Sequence, residues 1–143
     1  MKKLAFLILP FLLLPSDSLA KSFGDYQGAV YFRNYDGDTI TFNLPGLHPI
    51  IGEKISIRVN GIDTPEIKGK CEKEKYDAQQ VRDMVADILK DAEQITLKNM
   101  ERGKYFRIAA DVIVDGENLS EVLVGAGMAI RYSGGKKTFD WCE

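Results

Sequence analysis

A chain of 143 residues has room for one domain with one modest core, and it carries 19 basic against 21 acidic side chains. That acidic balance excludes a protein that coats nucleic acid nonspecifically, but not an enzyme that grips a few phosphates locally. One histidine, His48, excludes nucleases built on a histidine pair or a histidine-metal finger; with two cysteines it also leaves zinc poorly supplied.

The elements follow in chain order. Lys2 and Lys3 precede an apolar run over 4–14, and Ser18 and Ala20 offer the small residues that a signal peptidase reads. Residues 1–20 are therefore expected to be a signal peptide, because the run is far short of the roughly 20 residues that span a bilayer. The mature part, 21–143, is expected to be a single domain, exported to a periplasm or out of the cell. No stable membrane association is expected after cleavage, and nothing signals an oligomer, so a monomer is expected. Cleavage removes Lys2, Lys3 and Asp17, leaving 17 basic against 20 acidic side chains.

Residues 28–34 read as a strand. Asp36-Gly37 is a turn, with Gly available for positive φ. Residues 39–44 alternate as the returning strand, and 45–53 read as a loop holding His48. Residues 54–59 alternate again, which puts Arg58 on the face opposite Ile55, Ile57 and Val59. Helical spacing of Val81, Met84, Val85, Ile88 and Leu89 predicts a helix over 72–90. Strands are predicted over 93–99 and 105–114. Asn118 can cap a second helix that Gly127 ends. This order predicts an α+β β-barrel with about two helices, a five-stranded Greek-key barrel of the OB-fold type.

Asp36-Gly37-Asp38-Thr39 and Asp63-Thr64-Pro65-Glu66 are each ordinary turn chemistry when taken alone. Together, with Arg58 between them and Arg107 downstream, they assemble a phosphodiester site. Asp38 and Asp63 could hold one hard cation, with the Thr64 carbonyl and waters completing its shell. Glu66 could take a proton from, or orient, an attacking water. Arg58 and Arg107 could fork onto phosphate oxygens and stabilise transition-state charge.

Asp36 to Thr39, the segment Arg58 to Glu66, the run Lys104-Tyr105-Phe106-Arg107 and the run Leu123 to Gly127 resemble the staphylococcal nuclease (thermonuclease) family. The resemblance runs from about residue 28 to 132. It implies an OB barrel and a calcium-dependent phosphodiesterase acting on both DNA and RNA, with 3′-phosphate products. It implies Asp38, Asp63 and the Thr64 carbonyl as Ca2+ ligands, Arg58 and Arg107 as phosphate binders, and Glu66 as general base. The sequence departs from the family pattern in placing Phe106 where Gly is usual between Tyr and Arg. It is also acidic, and only 16 residues follow Gly127, too few for the third helix of the best-known member.

Lys104, Tyr105 and Tyr132 are candidates for substrate contact, the tyrosines through base stacking. The cluster Lys68, Lys70, Lys73 and Lys75 interleaves with Glu72, Glu74 and Asp77, and reads equally well as a solvated helix start. In an exported chain Cys71 and Cys142 are expected to pair, with two free thiols as the alternative. That bridge would pin the tail beside the loop after Glu66 and bring Lys136 and Lys137 near the phosphate track. A catalytically silent OB-fold nucleic-acid-binding module is the alternative function.

Overall fold

A computed structural model describes residues 22–103 and 107–143. The expected signal peptide lies outside them, as do Lys104, Tyr105 and Phe106. The elements are β1 (Tyr26–Gln27), β2 (Val30–Asn34), β3 (Thr39–Asn43), α1 (Pro49–Gly52), β4 (Ile55–Val59) and β5 (Ile62–Asp63). Then come α2 (Glu72–Lys90), β6 (Ile95–Arg102), β7 (Ile108–Val114), β8 (Glu117–Asn118), α3 (Leu119–Gly125) and β9 (Ile130–Arg131).

The principal sheet has strand order β1-β6-β7-β4-β3-β2, with β8 beside β7. Its pairs are antiparallel except β4 with β7, which is parallel. The two ends of that order, β1 and β2, are consecutive in the chain. Gly28, at φ +78°, turns the chain between them, and the N–H groups of Gly28 and Ala29 both donate to the Ile95 carbonyl. One bent strand thus serves both edges and curls the mixed sheet into a barrel-like half-shell. This bears out the OB-type α+β fold, with three helices instead of about two.

Alternation in β3, β4 and β7 buries Ile40, Phe42, Ile57, Val59, Ala110, Val112 and Val114. The helix predicted over 72–90 is α2, and its i, i+4 stripe Val81, Val85 and Leu89 closes the core. Burying each such side chain contributes about 1.5–3 kcal/mol. Helix α3 has Asn118 as its N-cap, with Oδ1 accepting from the Ser120 N–H at 2.9 Å. Past its C-cap Ala126, Gly127 sits at φ +70°. The Gly127 N–H reaches the Val124 carbonyl and the Met128 N–H that of Leu123, which is a Schellman ending.

Four expectations are corrected. Residues 45–53 contain the one-turn helix α1, because Pro49 suits its first turn and His48 caps it, Nδ1 accepting from Ile50 N–H at 3.3 Å. The strand expected over 28–34 begins only at Val30, because Gly28 turns the chain between it and the two-residue β1. Arg107 precedes β7 instead of lying within it. Gly37 is not at positive φ; it is needed because an added Cβ would collide with Val81 Cγ1 and come within 2.8 Å of Thr64 Cγ2.

Candidate active site

Antiparallel register sets the first contact. Thr39 pairs with Arg58 across β3 and β4, and the Val59 N–H donates to the Asp38 carbonyl at 2.9 Å. Asp38 at the turn and Arg58 on the neighbouring strand are thereby side by side, and the Arg58 Nη1 forms an ion pair with Asp38 Oδ1. Asp36 shapes that turn. Its Oδ1 accepts from the N–H groups of Asp38 at 3.1 Å and Thr39 at 2.8 Å. Asn34 Nδ2 pins the turn to α2, donating to the carbonyls of Asp36 and Arg82.

The second contact comes from β5, held by pairing with β9: Ile62 opposite Arg131 and Asp63 opposite Ile130. Thr64 N–H donates to Asp38 Oδ2 at 3.2 Å, which ties the two acidic segments together. Arg58 Nη2 donates to the Ile62 carbonyl at 3.2 Å and lies 3.7 Å from Asp63 Oδ1. Asp36, Asp38, Asp63 and Thr64 are all buried. Burial pushes the Asp36 carboxyl up, against the hydrogen bonds from Thr39. Burial likewise lowers the Arg58 guanidinium, opposed by Asp36 and Asp63; arginine starts so far above neutrality that it stays charged.

Arg58 and Arg107 line one cleft of about 480 Å³ with Gly61, Glu101, Tyr132 and Gly134. Arg107 is exposed. Tyr132, a candidate for stacking, faces this cleft and donates through its hydroxyl to the Gly135 carbonyl at 2.6 Å. The expected substrate contacts of Lys104 and Tyr105, and the effect of Phe106, lie outside the described residues.

The third contact comes from the tail. Cys71 and Cys142 form a disulfide with Cα atoms 6.0 Å apart. Lys137 Nζ lies 2.6 Å from both Asp63 Oδ1 and Glu66 Oε1. Trp141 Nε1 reaches Asp63 Oδ2 at 3.4 Å. Asp63 Oδ1 is buried and lies against two cations, Lys137 Nζ at 2.6 Å and Arg58 Nη2 at 3.7 Å. Burial would lower the Lys137 ammonium; hydrogen bonds to Asp63 and Glu66 outweigh it and hold the group above the ordinary lysine value.

Glu74 is the residue that the sequence reading missed. It stands three residues after Cys71, the N-cap of α2, where a capping box places Glu. Its side chain is buried and holds the loop after Glu66 instead of reaching back to the cap. Oε1 accepts from the Glu66 N–H at 3.3 Å and Oε2 from the Lys70 N–H at 2.8 Å. Cys71, Glu74 and Cys142 converge, but the two sulfurs are bonded to each other, so they do not offer thiolates to a metal. Lys73 and Lys75 pair with Asp77 and Glu72 on the helix surface, the solvated arrangement.

A family model described as staphylococcal nuclease homologue matches residues 56–140, more than half of the chain. The chain belongs to the staphylococcal nuclease family. No curated protein matches it significantly. The matched span includes Arg58, Asp63, Glu66, Arg107 and the tail through Lys137; Asp36 and Asp38 precede it. Membership in this family supports a nuclease-type function and nucleic acid as the class of substrate.

Proposed function

We propose that the chain is an exported, calcium-dependent nuclease that hydrolyses phosphodiester bonds in DNA and RNA and leaves 3′-phosphate ends. The observation that carries this reading is the arrangement around Arg58. It joins Asp38 of one turn to Asp63 of a separate strand, at the edge of a cleft it shares with Arg107.

The donor set fits a hard cation. Calcium takes roughly six to eight oxygen ligands, and this site offers carboxylates without a free sulfur or a histidine. Asp63 Oδ1, buried and already set against the Lys137 ammonium, is an oxygen whose surroundings call for a cation. Asp38, Asp63 and the Thr64 carbonyl would hold the ion. Bound there, calcium would neutralise phosphate charge and orient the phosphoryl group.

The chain's own groups account for the remaining roles. Arg58 and Arg107 face the cleft with planar donors that suit phosphoryl oxygens, and they stabilise the charge that builds as water attacks in line. Glu66 is half exposed in the neighbouring cavity that Asp63 also lines, and is the base that takes the proton of that water. The 5′-oxygen leaves, so phosphate stays on the 3′ side. Asp36 shapes the turn that presents Asp38. Export is part of the same proposal: it rests on residues 1–20, and a disulfide fits an oxidising periplasm or exterior. Among the described residues no helix is long and apolar enough to cross a membrane. A monomer with no stable membrane association after cleavage completes the reading.

Incubation of plasmid DNA and of RNA with wild type and Glu66→Gln, in calcium and then in chelator, tests it. Both substrates should be cut in calcium and spared in chelator, and the variant should lose about 10²–10⁴-fold in rate. Cleavage that survives the chelator removes the calcium mechanism. No cleavage with any divalent ion favours the silent binding module.

A further inference from the structure

The last segment of the chain is fastened at both of its ends. Pairing of β9 with β5 and the Tyr132 N–H bond to the Gly61 carbonyl fix one end. The Cys71–Cys142 bond fixes the other, helped by Lys73 Nζ donating to the Trp141 carbonyl at 3.0 Å. Gly134 and Gly135, at φ +98° and +88°, turn the strap between these anchors. Lys137 lies midway, equally far in sequence from Tyr132 and Cys142. Its ammonium is set on Asp63 Oδ1 and Glu66 Oε1, at the edge of a cavity of about 240 Å³ that Glu74, Asp140 and Trp141 also line.

Asp36, Asp38, Asp63 and Glu66 crowd four carboxyl groups into one corner. Arg58 neutralises the Asp38 side of it and Lys137 the Glu66 side. An ammonium and a divalent ion cannot both sit against Asp63 Oδ1, because ligand distances to calcium are only about 2.3–2.6 Å and like charges so close repel. A group held by short tethers acts at an effective concentration on the order of millimolar. The strap therefore keeps a competing cation permanently at hand.

We propose that Lys137 is a built-in counter-ion that takes the place of the divalent cation at Asp63 Oδ1, with Glu66 as its second anchor, and that the disulfide-anchored strap thereby sets the metal concentration at which the site fills. This rests on the metal-dependent reading above. Metal binding then requires Lys137 to swing away from both carboxylates, leaving it within reach of a bound phosphate.

Trp141, the chain's single tryptophan, touches Asp63 and reports on filling without any turnover. Calcium titrations followed by its fluorescence compare wild type with Lys137→Gln, Lys137→Arg and the Cys71→Ser/Cys142→Ser pair, each first checked for folding by circular dichroism. The proposal predicts at least tenfold tighter calcium binding in Lys137→Gln and near wild-type affinity in Lys137→Arg. The cysteine pair should also bind more tightly, since it keeps the lysine but loosens its tether. Equal or weaker binding by folded Lys137→Gln overturns the counter-ion role while leaving the metal site standing. Absence of binding in wild type and Lys137→Gln alike, to tens of millimolar calcium, overturns the metal reading and this inference together.

Discussion

Gly37 has no room for a side chain: an added Cβ would collide with Val81 Cγ1 and lie 2.8 Å from Thr64 Cγ2. Asp-Gly suggests a turn with positive φ, yet what fixes the glycine is the close approach of Val81 and Thr64. Gly37→Ala should therefore cost about 1–3 kcal/mol through forced displacement, lower Tm and weaken metal binding by shifting Thr64. Thermal melts and calcium titration check both effects. Glu74 was hidden for a related reason. In the sequence it is one acid among alternating lysines; only the folded chain shows it turned inward onto the Glu66 and Lys70 N–H groups. Glu74→Ala should leave two N–H groups without their acceptor, at about 1–3 kcal/mol each if they stay dry, and should lower kcat as Glu66 loosens. Glu74→Gln, which keeps one acceptor, should fall between; a fully active and stable Glu74→Ala would show that Glu66 needs no such support. By contrast Asp38 and Arg58 could be placed from the sequence, because the turn and the alternation of β3 and β4 bring them together at one end of the barrel.

Among the elements, α2 was the easiest to read. Its apolar stripe has helical period and no competing pattern, so its predicted ends coincide with its observed ones. The one-turn helix α1 and the two-residue strands β5 and β9 could not be read, since they are too short for periodicity to register. Those two strands matter for function, because their pairing fixes Asp63 at one side and starts the tail strap at the other. The strap itself has no period at all, and a disulfide between cysteines 71 positions apart in sequence holds it. Replacing Cys71 and Cys142 by Ser should lower stability by up to about 4 kcal/mol on the chain-entropy estimate. It should also raise KM, because Tyr132 and Gly134 of the same segment line the cleft beside Arg58 and Arg107. Melting curves and steady-state kinetics of the double variant measure this; unchanged values of both would mean that the strap braces nothing.

For the molecule as a whole, the acidic balance and the local site fit together. Arg58 and Arg107 sit in one cleft, while residues 21–143 carry 17 basic and 20 acidic side chains. The proposed enzyme would touch few phosphates and release them readily. Binding of duplex DNA by Glu66→Gln should accordingly show a log–log salt slope near −2, about −0.9 for each of two phosphate contacts. A slope several units steeper would place the nucleic acid on a much wider surface than the cleft. The barrel was foreseeable from alternating strands and turn dipeptides, but its closure was not, because one bent strand serving both edges depends on Gly28 and a single shared carbonyl at Ile95. Hydrolysis of an end-labelled oligonucleotide, with calcium or with chelator, and identification of the new ends tests the central claim most directly. Calcium-dependent fragments bearing 3′-phosphates are expected, whereas cleavage in chelator, or fragments with 3′-hydroxyls, would rule out the proposed chemistry.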